Sequence, residues 1–257
     1  MRYNLLEQFD DKAEYGILRP EYVIAKPTEA FPETIVAEFS EAMIQAVAKK
    51  YNARQICEFI TVAGNIPIYK MNYKGKDVAF FRTMIGAPAC CSCFEEVIAM
   101  GAKKFMLCGE CGVLSQDIVD GRIIVPTHAM RDEGTSYHYA PSADWSELDP
   151  KGVAVVESTL RENDVPYIKG KIWTTDASYR ETVTKMQARR DAGCIAVEME
   201  CAAMVAVAKM RNVKFAQFVY ASDNLDSPVW QQRGLTVRPI KQKEDFFDLA
   251  LDCAIRL

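Results

Sequence analysis

From Gln55 onward the chain alternates short runs rich in Val, Ile and Phe with helical patterns of ten or more residues, and this alternation restricts the fold more than any other feature. QICEFITV reads as a strand, and IPIYKMNY and DVAFFRTMI, separated by a Lys-Gly-Lys turn, read as a hairpin. A helix over PACCSCFEEVIAMGA then leads into strands KKFMLCG and RIIVPTH and a helix near GVAVVESTLREN. After these come strand YIKGKIWTT, a helix from Tyr179 to Arg190, strand CIAVE, helix MECAAMVAVAKM, strand KFAQFVYAS and a closing helix over EDFFDLALDCAIRL. Such strands imply a mostly parallel sheet covered on both faces, a single three-layer α/β/α domain over residues 1–257. The first 30 residues, rich in Pro and charge, read as an N-terminal surface arm with one short strand at EYVIA. From Pro32 the spacing of Ile35, Val36, Phe39, Met43, Ile44 and Val47 predicts an amphipathic helix over PETIVAEFSEAMIQAVAKKY.

Charge and hydropathy narrow the partners. The chain carries 31 bases against 35 acids, with no Lys/Arg run able to neutralise a phosphate backbone, so nucleic acid is not expected as a partner. No stretch of about 18 apolar residues exists, and the acidic start lacks the basic and apolar regions of a signal peptide, so a cytoplasmic protein without a membrane partner is expected. The 9 cysteines fit that compartment, and several, such as Cys57, Cys194 and Cys201, lie in apolar runs as small core residues. Cys90, Cys91, Cys93, Cys108 and Cys111 offer C-x-x-C steps and hence a zinc or redox hypothesis, but the second pair brackets a Gly-Glu in a glycine turn, only His128 and His138 are available besides, and small buried residues are the better reading. No metal is expected.

In a parallel sheet, ligands gather where the carboxyl ends of strands feed into loops, and three such ends carry acids. In CGECG, Glu110 sits among glycines expected to form an anion-binding turn of exposed amides, where it either caps the turn or serves a nucleophile. In AVEMECAAM, Glu198, Met199 and Glu200 lie at a strand–helix junction, where a carboxylate complements the helix dipole or grips a vicinal diol. In VYASDNLD, Asp223 either caps a turn or is a desolvated acid able to donate a proton near neutral pH. With no nucleophilic triad and no Walker-type lysine, the three acids point to chemistry on a hydroxyl-bearing ligand.

The motifs VEMECAA, YASDN, GECGVL and THAMRDEGTSYHYAP, in this order and spacing, resemble the nucleoside phosphorylase superfamily from about Ile66 to the C-terminus. The resemblance implies an α/β sandwich with a distorted, barrel-like central sheet, assembled as a homo-oligomer (dimer or hexamer) that cleaves the N-glycosidic bond of nucleosides without a cofactor. Carried over by position, Met199 and Glu200 match the ribose-binding pair, and Asp223 matches the acid that protonates N7 of a purine leaving group. Arg233 falls near an arginine assisting that acid, and Tyr179, Arg180 and Glu198 are the candidate base contacts. Gly86, Gly109, Gly112 and Arg82 are assigned to the nucleophile or anion pocket.

The departures concern phosphate. The family's Gly-Asp-Pro-x-Arg loop has no counterpart, the N-terminal strand running into Ala25-Lys26-Pro27-Thr28, and Leu107 and Glu110 stand where the phosphate-binding arginine and hydroxyl are expected. A carboxylate beside a dianion is costly in a poorly solvated pocket unless cations such as Arg82 or Lys26 compensate. Inorganic phosphate as co-substrate and water positioned by Glu110, as in a nucleosidase, therefore both stay open. RDEGTS and IWTTD are also similar to segments of AMP nucleosidases, for which Arg131 and Arg180 are candidate cations for a 5'-phosphate. The same RDEGTSYHYAP loop resembles uridine phosphorylases, yet their Gln-x-Arg base motif is missing and Asp223 is a purine-type feature. A non-catalytic nucleoside-binding protein is the remaining alternative.

Overall fold

The computed structural model describes residues 6, 7, 9, 10 and 16–257. Its strands are β1 (Thr34–Glu38), β2 (Arg54–Phe59), β3 (Ile66–Tyr73), β4 (Lys76–Arg82), β5 (Lys104–Val113), β6 (Ile123–Asp132), β7 (Trp145–Glu147), β8 (Tyr167–Thr175), β9 (Cys194–Glu198) and β10 (Lys214–Asn224). Its α-helices are α1 (Glu41–Lys50), α2 (Ala87–Met100), α3 (Pro150–Glu162), α4 (Val183–Asp191), α5 (Cys201–Met210) and α6 (Ile240–Ala254). All ten strands belong to one sheet in the order β10-β6-β8-β9-β5-β1-β4-β3-β2, with β7 on β6 and a further β10–β5 pairing. That last pairing closes β10, β6, β8, β9 and β5 into a distorted ring, from which β1, β4, β3 and β2 fan out as an open sheet. The ladders β10–β5, β5–β1 and β1–β4 are parallel, so four neighbouring strands present their carboxyl ends on one side.

Side chains alternate between the faces of these strands. Ile35, Phe105 and Leu107 join the α2 and α5 layer, whereas Val36, Met106 and Cys108 join α1, α3 and α6, giving the expected three layers. All 9 cysteines are buried free thiols. Among the described residues no helix is long and apolar enough to cross a membrane.

Three expectations need correction. The helix predicted from Pro32 is two elements: Thr34–Glu38 is a fully buried strand, and α1 starts only after Ser40, whose hydroxyl accepts from the Met43 amide at 3.4 Å. A continuous apolar run fits a buried strand as well as a helix, and β-branched Thr34, Ile35 and Val36 between two parallel partners decide for the strand. EYVIA forms no strand. Pro20 opens a short 3-10 turn over Pro20–Tyr22, and Thr28 ties the segment to Ile56 on edge strand β2. The segment holding exposed Lys26 therefore borders β2, and the strand leading into the central sheet is β1, followed by Phe39-Ser40-Glu41. Finally, CGECG is not a turn. β5 runs straight through it, paired with β10 to Val113, and forms no amide nest. The glycines permit close approach: a Cβ on Gly109 would lie 2.7 Å from the Phe39 ring.

Candidate active site

Gly112 is the point where the predicted acids meet. It pairs with Asp223 of β10 on one side and with Val197 of β9, next to Glu198, on the other. A Cβ there would lie 2.6 Å from Leu225 Cδ1, 3.0 Å from Val197 Cγ1 and 3.2 Å from Asp223 Oδ1, so only glycine lets these three chains converge.

Asp223 follows a bulge in β10 and is buried, its Oδ2 accepting from Trp230 Nε1 at 2.8 Å. Burial raises its pKa, the Trp230 N–H and the Arg233 charge oppose that rise, and the Glu110 charge adds to it. Arg233 itself sits at φ 47° and donates through Nη1 to Ile118 O at 2.6 Å, so it bears on Asp223 as an anchored charge. Buried Arg238 fixes the strand end beneath, donating to Ala221 O at 2.9 Å and to Asp120 at 2.6 Å.

Glu198 and Glu200 differ in what they leave open. The Glu198 carboxylate accepts from Thr174 Oγ1 at 2.6 Å and from the amides of Glu200 at 2.9 Å and Cys201 at 2.8 Å. These bonds cap the start of α5 and occupy both oxygens of the Glu198 carboxylate. Glu200 Oε1 accepts from the Gly86 amide at 2.6 Å, which joins the starts of α2 and α5. Gly86 has φ 92° and open space where a Cβ would stand. Burial, followed by the neighbouring Glu198 charge, pushes the Glu200 pKa up to about 8.

Glu110 lies on the face covered by α6. Its Oε1 is 3.4 Å from the ammonium of Lys243, whose side chain is 10% exposed, yet no hydrogen bond of good geometry reaches that buried oxygen. On the same face, buried Glu38 ends β1, accepts from the Ser40 amide at 2.5 Å and from the Tyr220 hydroxyl at 3.4 Å, and has its pKa pushed up by burial to about 7. Arg82 ends β4 and is ion-paired with Glu41 at 3.0 Å.

Other assignments fare differently. Tyr179 and Arg180 stand exposed on a 3-10 turn, Ser178–Arg180. The next residue, half-buried Glu181, has its pKa raised to about 7 by burial and by the charge of Asp223. Arg131 is buried and committed, donating to Ser136 Oγ at 2.8 Å and Pro141 O at 2.6 Å over the Tyr137 ring, so it is no free cation for a 5'-phosphate. Sequence reasoning missed Trp230, Glu181, Glu38 and Lys243. Of these only Glu181 carried a signal, standing inside the WTTDASYRET segment.

Comparison with known proteins shows the fold and the family. A solved structure, purine nucleoside phosphorylase from Toxoplasma gondii in complex with immucillin-H, superposes with a TM-score of 0.76 at 16% identity, covering 88% of this chain and 92% of that one; it shows the fold. Guanosine phosphorylase of Halorubrum lacusprofundi is 30% identical over 158 residues, 62% of this chain and 66% of the relative. The DeoD-type 2 purine nucleoside phosphorylase of Aliivibrio fischeri is 25% identical over 239 residues, 88% of this chain and 95% of the relative. The phosphorylase superfamily model matches residues 35–257, starting at β1 rather than near Ile66, and the chain belongs to the phosphorylase superfamily.

Proposed function

We propose that the protein cleaves the N-glycosidic bond of a purine nucleoside. The observation that carries this reading is the convergence on Gly112 of a buried acid, Asp223, with the strand leading to a second, Glu200. Asp223, whose pKa burial raises, gives its proton to N7 as the bond to C1' breaks, which neutralises the leaving base while positive charge grows on the sugar. Glu200 accepts from the ribose 2'- and 3'-hydroxyls, with Met199 beside the sugar. Glu181 faces the base near Asp223, with exposed Tyr179 free to stack on it and Arg180 beside it. The names of the relatives, purine nucleoside and guanosine phosphorylases, support a purine base and phosphate as acceptor.

Hydrolysis is the second reading, favoured by one observation: Glu110 holds a buried carboxylate oxygen with no well-aligned donor, and its charge acts on Asp223. The same reading takes the protein as a homo-oligomer working in the cytoplasm. Large apolar side chains left exposed at Ile60, Val62 and Ile85 support the assembly.

The test is release of free base from purine and pyrimidine nucleosides and AMP, in phosphate-free buffer and with added phosphate. Purine release supports the reading. Ribose 1-phosphate identifies a phosphorylase, and free ribose a nucleosidase. Binding without released base from any nucleoside overturns it.

A further inference from the structure

The acceptor side of the candidate site contains a cation that neither the sequence motifs nor the comparisons assign. Lys243 enters from α6, almost fully buried, and its ammonium stands 3.4 Å from Glu110 Oε1. Glu110 is in register with Tyr220 of β10, whose hydroxyl donates to Glu38 at the end of β1, and the Glu110 charge acts on Glu38. Tyr220 and the Ser40 amide both donate to Glu38, so Glu38 has partners. Glu110 Oε1, although buried, lacks a well-aligned donor. A group bound there has to offer it a hydrogen. Water offers two, whereas the hydrogen phosphate dianion offers one and brings its remaining oxygens, which share two negative charges, toward the carboxylate.

Charge leads to the same result. At about 4 Å, two like charges near a protein surface repel by about 4 kcal/mol, and Lys243 cancels the Glu110 charge once without leaving a net positive field. The arginines at these strand ends are committed elsewhere: Arg82 is paired with Glu41, Arg238 with Asp120, and Arg233 donates to Ile118 O. A dianion therefore meets a neutral pair with a second carboxylate, Glu38, behind it.

We propose that Lys243 selects the acceptor: paired with Glu110 it offers no net charge to phosphate and leaves Glu110 to orient water. This rests on the glycosidic-cleavage reading above. In the reaction the bond between C1' and the base breaks with its electron pair going to the base. Asp223 passes its proton to N7, the water oxygen bonds to C1', and the proton lost by that water goes to Glu110. Freed of Glu110, the same ammonium becomes a phosphate ligand. Lys243 is then a positioning residue in the natural protein and a phosphate-binding residue once Glu110 is neutralised.

The experiment compares the natural chain, Glu110→Gln, Glu110→Ser and Glu110→Gln/Lys243→Met, measuring released base and the sugar product with and without inorganic phosphate. Phosphate binding is followed separately by phosphorus NMR. The natural chain yields ribose without phosphate dependence and binds no phosphate. Glu110→Gln loses hydrolysis by ~10²-fold, binds phosphate and makes ribose 1-phosphate with about 10-fold stimulation; Glu110→Ser does the same if the larger change is tolerated. Adding Lys243→Met abolishes both binding and stimulation. Phosphate binding by Glu110→Gln that survives Lys243→Met overturns the proposal, as does a natural chain that requires phosphate. A natural chain that releases no base under any condition fails the cleavage reading itself, and this proposal with it.

Discussion

The indole N–H of Trp230 donates to Asp223 Oδ2 at 2.8 Å, tying a loop residue to the acid at the end of β10. The bond favours the ionised carboxylate and works against burial. Trp230→Phe therefore raises the Asp223 pKa. In the proposed mechanism the protonated form is the active one, so the alkaline fall of kcat/KM moves to higher pH in this variant, as a pH–rate profile will record. Asp223→Asn lowers kcat by ~10² or more with KM nearly unchanged.

Glu200 is held by the Gly86 amide at 2.6 Å. Removal of its carboxylate in Glu200→Ala costs hydrogen bonds to the sugar hydroxyls worth about 10- to 100-fold in kcat/KM for ribonucleosides. The loss is smaller for 2'-deoxyribonucleosides, which offer one hydroxyl fewer. An equal loss for both substrates removes Glu200 from the diol.

Glu38 and Glu200 have pKa values near 7 and 8, above the unfolded carboxyl value. The folded state thus binds more protons than the unfolded one between about pH 4.5 and 8, and stability is greatest at the acid side of that window and declines as pH rises through the folded values. Urea unfolding at pH 5, 6.5 and 8 will show this decline. Glu38→Gln removes its share, about 3 kcal/mol, and flattens the profile.

Gly109 lies under the Phe39 ring, which a Cβ would approach to 2.7 Å. Gly109→Ala is expected to cost about 1–3 kcal/mol, read as a lower urea midpoint with an unchanged slope. Gly109→Ala paired with Phe39→Leu recovers part of the loss.

The α/β alternation, the three layers, Asp223 at the end of β10 and Glu200 at the start of α5 were legible because each rests on a local pattern: a buried run, a helix period or an acid at an element boundary. β1 was not, since Ile35, Val36 and Phe39 satisfy a helical period, and only the two strands flanking them decide otherwise. Nor was the extended CGECG segment, whose glycines answer to Phe39 and Leu225 from distant parts of the chain. Lys243 lies 133 positions from Glu110 and reads locally as one more polar residue of an amphipathic helix. Trp230 likewise acquires its role only when its loop folds back onto β10.

The ring of β10, β6, β8, β9 and β5 divides what selection can change. Asp223 and Glu110 rise from strands bound on both sides, where a one-residue slip would invert every side chain. Trp230, Tyr179 and Glu181 sit on loops outside the ring, where insertions and exchanges are tolerated. With the proposed base contacts on these loops and the proposed acids on the ring, base preference is free to drift by loop replacement while the bond-breaking step stays fixed, so loop grafting among relatives is a direct route to new substrates.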